Sequence, residues 1–563
     1  MLSNLTFVSA FIDVYEIPFE DKDIHWRSQL FENIAKTGIQ ICLYIDHPSK
    51  PIMDSMASKY PNIKIMKYLD IKDTWAYNQC KEVEDITLPD HRNRPKDTVE
   101  YMCLINSKIE FMKDAIDNNP FSSTHFAWID FSIFYVFKNY QKTSEYLKTL
   151  SYRTFKPNFL MIPGCWDKLN DVNRILNNVF WRFCGGFLIG NKESILDFHN
   201  LYHEHFPHFL KTHKKIVWEV NFWAWLEANA DWAPTWVSGD HNDRILDLWC
   251  NIQSLCVAER ATSCIVYDYV HIDTYNPTSA SYLFYKNRHI LNTRYVNYVY
   301  HESGKYCIIH DSNSIIRTKN ILSILDDNFM PTNYLEMSEE NIGLQAKPAK
   351  FCGLEDIRLY ECNGELRYIA TNIDYSPNTW NLMITGIYDP DSLTYKNSRI
   401  LYSPGESWCE KNWIPLIKKG EVDEEYFVYK WSPMEIGKIN DETNKLEIVL
   451  KYSIASPFFS KVRGSTIFME TNEGLLGIVH FSEDKLPRHY YHIFVLLEKE
   501  TFKPLRYSEN FYFQKIGIEF CIGFNIKDGN YYFWVSEFDR EPKLLISPIE
   551  NYPLKFDFIF ENN

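Results

Sequence analysis

"ECNGELRYIAT", residues 361–371, decides how the second half of this chain is read. Polar residues and a glycine make a turn, and a strand-like run follows. The same order recurs. "HESGKY", "KKGEVD", "TNEGLL" and "KDGNYY" set Gly304, Gly420, Gly474 and Gly529 in polar turns, each ahead of a strand such as "YFVYKW" or "LGIVHF". With Gly364, these five glycines stand 60, 56, 54 and 55 residues apart. Turn glycines supply the positive φ that tight hairpins need. Sheet units at a steady period predict an all-β, five-bladed propeller over 259–563, with a sandwich as the competing arrangement.

Working back toward the start, the pattern changes. "NLTFVSAFI" (4–12), "IQICLYID" (39–46) and "NIKIMKYL" (62–69) read as strands, and "WRSQLFENIAKTG" (26–38) as a helix ending at Gly38. A longer helix is expected over 97–117, with Val99, Met102, Cys103, Ile109, Met112 and Ile116 along one face, and "THFAWIDFSIF" (124–134) follows as a strand. Strands alternating with helices predict an α/β domain with a mostly parallel sheet over 1–258. The chain is therefore expected to be multidomain.

The 563 residues are too many for one hydrophobic core. A formal net charge of −15 argues against a nucleic-acid partner, which needs a basic surface. Thirteen cysteines without a CxxC fit reduced thiols in a cytoplasmic setting. No apolar run of membrane-spanning length occurs, and the first residues lack the basic start of a signal peptide. Oligomeric state is not readable.

Each expected blade carries a charged or polar cluster ahead of its turn glycine: "GLEDIR" (353–358), "CEKNW" (409–413), "KVRGS" (461–465) and "GIEFC" (517–521). Inner strands of a propeller converge on an axial funnel, so these clusters are expected to face it. Glu355, Asp356 and Arg358 bring a general acid beside a cation. Neighbouring strand residues point to opposite faces, so Glu355 and Asp356 cannot both face one sugar without distortion. A structural ion pair is the alternative. In "VHFSEDKLPRHYYHIF" (479–494), His480, Arg488, Tyr490 and His492 lie close together, Arg463 and Lys430 could add positive charge, and a solvated strand edge is the alternative.

"EDIR" resembles the "EDPR" signature of five-bladed propeller enzymes acting on β-mannosides, the mannoside phosphorylases and related glycosidases and mannosyltransferases. The resemblance spans about 270–563 and implies that Asp356 is the acid and that the basic, aromatic face of Arg488, Tyr490 and His492 binds phosphate or a sugar phosphate. Ile357 stands where that family has proline. "FWVSEFD" (533–539) has only a loose likeness to the family's "GAAD" segment.

In the first part, Asp130 closes a strand where an α/β sheet presents ligands. Gly185 and Gly186 admit close approach of a ligand to the backbone, Glu219 opens a helix, and Asp240, His241 and Asp243 share a loop. Asn106 interrupts an apolar stripe and either points into the site or is a satisfied core amide. The order "SAFIDVYE … WIDFSIF … CGGFLIG … WEVNFWA … GDHNDRI" resembles the HtrL/YibB group of GT-A-fold glycosyltransferase-like proteins. That resemblance covers about 1–255. It implies a nucleotide-sugar donor, a divalent cation (Mn2+ or Mg2+) held by Asp130 with His241, and donor contacts from Asp130, Gly185 and Gly186, to which the helix position of Asn106 adds a further donor contact. Glu219 becomes a catalytic base or acceptor contact.

The combined expectation is a two-module glycosyltransferase that moves sugar from a nucleotide sugar to a glycan acceptor. One alternative is a propeller-only phosphorylase or mannosyltransferase using sugar 1-phosphate, with an inactive first half. Another is a glycan-binding scaffold without activity.

Overall fold

β1 (Leu5–Phe11) is apolar and almost wholly buried, as a strand covered on both faces must be. Its successive side chains enter different cores. Phe7 packs with Phe31 and Ile34 of α1 (Ile24–Ala35), whereas Val8 packs with Met112 and Phe126 on the other face. β2 (Gln40–Ile45) and β3 (Ile63–Tyr68) extend the sheet on one side of β1 in parallel. β4 (His125–Ile129) lies parallel on the other side. β5 (Leu160–Gly164), β6 (Phe187–Asn191) and β7 (Thr235–Ser238) complete the order β3-β2-β1-β4-β6-β5-β7, with β6 antiparallel to both neighbours. The chain grows to one side of β1 and then crosses to the other, leaving a crevice beyond the carboxyl ends of β1 and β4.

This computed structural model describes residues 3–15, 23–169, 171–246, 252–309, 311, 313–483 and 487–560. The chain divides into one unit over Met1–Gln253 and another over Ser254–Asn563. In the first, the helix expected over 97–117 is two helices, α2 (Val99–Asn106) and α3 (Lys108–Asn118), joined at Ser107. The break turns Lys108 into the interior. α4 (Lys192–His213) and α5 (Glu219–Asn229) complete the elements that matter below. Among the described residues no helix is long and apolar enough to cross a membrane.

The second unit is all-β and propeller-like. The opening stretch forms the predicted hairpin: Asn363 and Gly364 take φ of 53° and 72°, and Cys362 pairs with Glu365 across them. Two successive left-handed residues are what a two-residue turn between twisted strands requires. That hairpin belongs to an antiparallel sheet of Glu355–Cys362, Glu365–Asn372, Leu382–Asp389 and Thr394–Leu401. Gly420 serves a second sheet, from Ile414–Lys418 to Leu446–Tyr452. Gly474 precedes Leu475–Glu483, central to an eight-stranded sheet, and Gly529 joins Glu519–Lys527 to Asn530–Glu537.

Gly304 departs from the pattern. It turns a separate two-stranded ribbon, Tyr298–Tyr300 with Tyr306–Ile308. Among the described residues the glycine turns therefore mark four blades, which corrects the expectation of five. A further sheet contains Asn276–Tyr285, Arg288–Val296 and Ile316–Leu325, and turns at Lys286–Asn287 without glycine.

The sheet of Asn530–Glu537 is closed from a distance. Its outer strand, Lys543–Pro548, pairs with Ser263–Ile265 near the start of the unit. Leu255–Cys256 likewise pairs with Phe511–Tyr512.

Candidate active sites

In the first unit a cavity of about 680 Å³ opens at the carboxyl ends of β1 and β4. Asp130, Gly185, Gly186, Glu219 and His241 all line it, as does Lys108. Lys108 organises the floor. Its ammonium donates to Glu219 Oε1 at 2.8 Å and to the Gly185 carbonyl at 2.7 Å, and lies 3.0 Å from Asp130 Oδ1. Burial alone would lower its pKa, but Asp130 and Glu219 outweigh that and displace it upward, so the side chain stays charged. Trp128 Nε1 donates to the same Asp130 oxygen at 2.7 Å.

Asp130 Oδ1 already accepts from Trp128 and is paired with Lys108, and His241 is grouped with Cys165 and Cys184. The open backbone at Gly185 serves the protein itself, since a Cβ there would meet Glu219 Oε1 at 2.1 Å. Asn106 does not line the cavity. It donates to the carbonyls of Met102 (2.8 Å) and Val217 (2.9 Å) and accepts from the Tyr202 hydroxyl, a satisfied core amide.

In the second unit a cavity of about 1060 Å³ collects three of the four predicted clusters. Glu355, Asp356, Glu410, Lys411, Lys461 and Arg463 line it. The fourth cluster contributes Ile518 and Phe520, while Glu519 turns away and accepts backbone N–H groups of Phe513, Gln514 and Lys515 at 2.6, 2.6 and 2.9 Å. Burial, the largest influence, pushes the Glu519 carboxyl up to about 7.

Both Glu355 and Asp356 face the cavity, through the distortion that alternation demands. The register slips between Glu355 and Arg358, and Asp356 sits at φ 53°. A left-handed aspartate in a bulge costs on the order of 1 kcal/mol and re-aims a side chain. Arg294 holds the pair: Nη1 lies 2.9 Å from Asp356 Oδ1 and Nη2 lies 3.5 Å from Glu355 Oε1. Lys411 approaches Glu355 Oε2 at 3.5 Å.

Asp539 also lines the cavity and accepts from the Tyr298 hydroxyl at 2.8 Å. It follows Phe538 in a second left-handed pair, φ 48° and 49°. The two aspartates are displaced in opposite directions. Burial pushes the Asp356 carboxyl up, but Arg294, Arg358 and Lys411 together pull it below the usual carboxylate range. Burial raises Asp539, Arg294 and Tyr298 offset that only in part, and Asp356 and Glu355 add to it.

Arg358 is a positioning residue. It is fully buried and outside the cavity lining, donating to Ser465 O at 2.6 Å, Asn412 Oδ1 at 3.0 Å and Asp356 O at 3.2 Å. Lys430, Arg463, His480, Arg488 and Tyr490 line the cavity. His492 does not; it is fully buried against Phe511 and Phe513. His480 is no cation either, because burial, then Arg358 and Arg463, lower its pKa to about 3. Arg294, Tyr298 and Lys108 had no motif to announce them. Lys411 and Asp539 lay inside quoted stretches, and only the bulge and turn geometry singles them out.

A family model described as a bacterial protein of unknown function (HtrL_YibB) matches residues 4–216, which takes in Asp130, Gly185 and Gly186 and stops before Glu219 and His241. No curated protein matches the chain. Among solved structures, β-1,2-mannobiose phosphorylase from Listeria innocua, complexed with β-1,2-mannobiose, is 10% identical, covers 52% of this chain and 98% of its own, and has a TM-score of 0.34. A mannose phosphorylase from Leishmania mexicana with bound phosphate is 13% identical, at 54% and 94% coverage and a TM-score of 0.34. A glycosyl hydrolase from Bacteroides ovatus is 7% identical, at 51% and 87% coverage and a TM-score of 0.33.

Proposed function

We propose that the protein acts on glycans in the second unit, as a glycoside phosphorylase or mannosyltransferase of the sugar 1-phosphate type. The observation that carries this is a pair of aspartates with opposed pKa displacements in one cavity lined by arginines and lysines. In the degradative direction a phosphate oxygen forms a bond to the anomeric carbon, and the bond from that carbon to the glycosidic oxygen breaks. The leaving oxygen takes its proton from the carboxyl pair, in which the surroundings of Asp539 favour the protonated form and those of Asp356 the anion. Arg463, Arg488 and Lys411 supply positive charge for the phosphate. Phosphate adds negative charge beside Asp356 and weakens the hold of its cations.

The test is phosphate release from mannose 1-phosphate with a panel of glycan acceptors. Asp356→Asn is expected to lower the rate about 10²–10⁴-fold, as loss of a general acid or its partner does. Asp130→Asn should leave it unchanged. No release from any sugar 1-phosphate would defeat the reading.

A second reading rests on the buried Lys108 ammonium. The first unit would be a GT-A-like donor site for a nucleotide sugar, with a glycan as acceptor, and Lys108 would supply the fixed positive charge beside Asp130 and Glu219. The positive charge expected of Mn2+ or Mg2+ would then come from Lys108, which already pairs with Asp130 Oδ1. Nucleotide-sugar turnover without added Mn2+ or Mg2+ is expected, and Lys108→Met should abolish it. Turnover that strictly requires either ion would overturn this reading.

A further inference from the structure

At the rim of the first cavity, three adjacent strands end together. Cys165 follows β5, Cys184 precedes β6 by three residues, and His241 lies in the loop after β7. Backbone bonds already fix the three ends: Cys184 N donates to Pro163 O at 2.7 Å, Cys165 N to Trp181 O at 3.0 Å and Gly239 N to Gly164 O at 2.8 Å.

One ligand atom from each of Cys165, Cys184 and His241 lies within 4.8 Å of the other two. The spacing is more telling than the grouping. Two sulfurs bound to one tetrahedral zinc at about 2.3 Å stand about 3.8 Å apart, and Cys165 Sγ and Cys184 Sγ are 3.7 Å apart. Asp240 Oδ1 lies 3.5 Å from Cys165 Sγ and 3.4 Å from His241 Nδ1. The ligand chemistry agrees with the geometry, since two thiolates and an imidazole suit zinc and do not suit magnesium or manganese.

We propose that Cys165, Cys184 and His241 bind a structural zinc ion, with Asp240 as the carboxylate that orients the imidazole. The ion displaces two thiol protons on binding and ties β6, β5 and β7 together beside Gly185, which carries the carbonyl that Lys108 contacts. This is independent of which cavity performs the chemistry.

Full-length protein purified under reducing conditions should retain about one zinc per chain. Co2+ in its place should give a thiolate-to-cobalt charge-transfer absorption. Cys165→Ser, Cys184→Ser and His241→Ala should each weaken zinc binding by at least about tenfold. Should Cys184→Ser fail to fold, thiol labelling of the unaltered protein decides: a chelator should expose two further cysteines, identified by mass spectrometry as Cys165 and Cys184. Three outcomes would overturn the proposal. They are no retained zinc, zinc retained undiminished in Cys165→Ser (which would place it elsewhere, such as Glu110, His199 and His203), or a Cys165–Cys184 disulfide in metal-free protein.

Discussion

Lys108 places a full positive charge where water scarcely reaches, with side-chain exposure of 6% against 7% for Glu219. A buried charge is tolerated when it is paired and its hydrogens are used, and the Gly185 carbonyl takes one that the carboxylates leave. Removing one partner strands the other. Lys108→Met is therefore expected to destabilise the first unit by about 3–5 kcal/mol, and adding Glu219→Gln should recover part of the loss. Denaturant unfolding of the single and double variants checks this. Histidines in the second unit make the converse case. Burial keeps His480 neutral, with a native pKa of about 3 against about 6.5 unfolded. The unfolded chain binds the extra proton, so this contribution is present above pH ~6.5 and is lost as pH falls toward ~3, by at most about 1.4 kcal/mol per pH unit. His480→Gln should lose less stability than the parent over that window. Equal slopes in pH-dependent unfolding would show that His480 does not titrate in this way.

At the scale of elements, the informative feature is the bulge in the Glu355–Cys362 strand. Its aspartate at φ 53° tells which substitutions the backbone accepts. Asp356→Gly relieves the left-handed strain and should leave thermal stability unchanged or slightly raised once the lost ion pair is allowed for. Asp356→Val forces a β-branched residue into the same conformation and should cost about 1–3 kcal/mol. Calorimetry on the two separates backbone strain from charge. The bulge also shows how far the sequence could be read. Hairpin turns were legible because Asn363–Gly364 and Asp528–Gly529 state their geometry in residue type. That Glu355 and Asp356 share a cavity was not, because alternation assigns neighbours to opposite faces and no residue in "GLEDIR" announces a slipped register. Lys108 was missed for a similar reason: an unbroken helix over 97–117 offered no break at Ser107, and so no way to turn a lysine inward. Arg358 and His492 were chosen for residue type, while packing decided whether they met the cavity.

For the molecule as a whole, glycine spacing found the repeat and overcounted it. Local turn chemistry is the same in a blade and in the ribbon at Gly304, so spacing alone cannot distinguish them. What no local pattern carries is closure. Ser263–Ile265 and Lys543–Pro548 share a sheet although nearly the whole second unit separates them in sequence. A fragment of 254–563 keeps that pairing, and one of 276–563 loses it along with the pairing of Leu255–Cys256. The shorter fragment should unfold at distinctly lower denaturant concentration or fail to fold, whereas the longer should unfold cooperatively, as followed by circular dichroism. Synthesis runs in one direction, and this seam has a kinetic meaning. On the ribosome the early strand must wait, its edge unpaired, until residues 543–548 emerge to meet it. During that interval the nascent chain should lean most on chaperones, and slowing translation between the two halves of the seam should lengthen its exposure to aggregation.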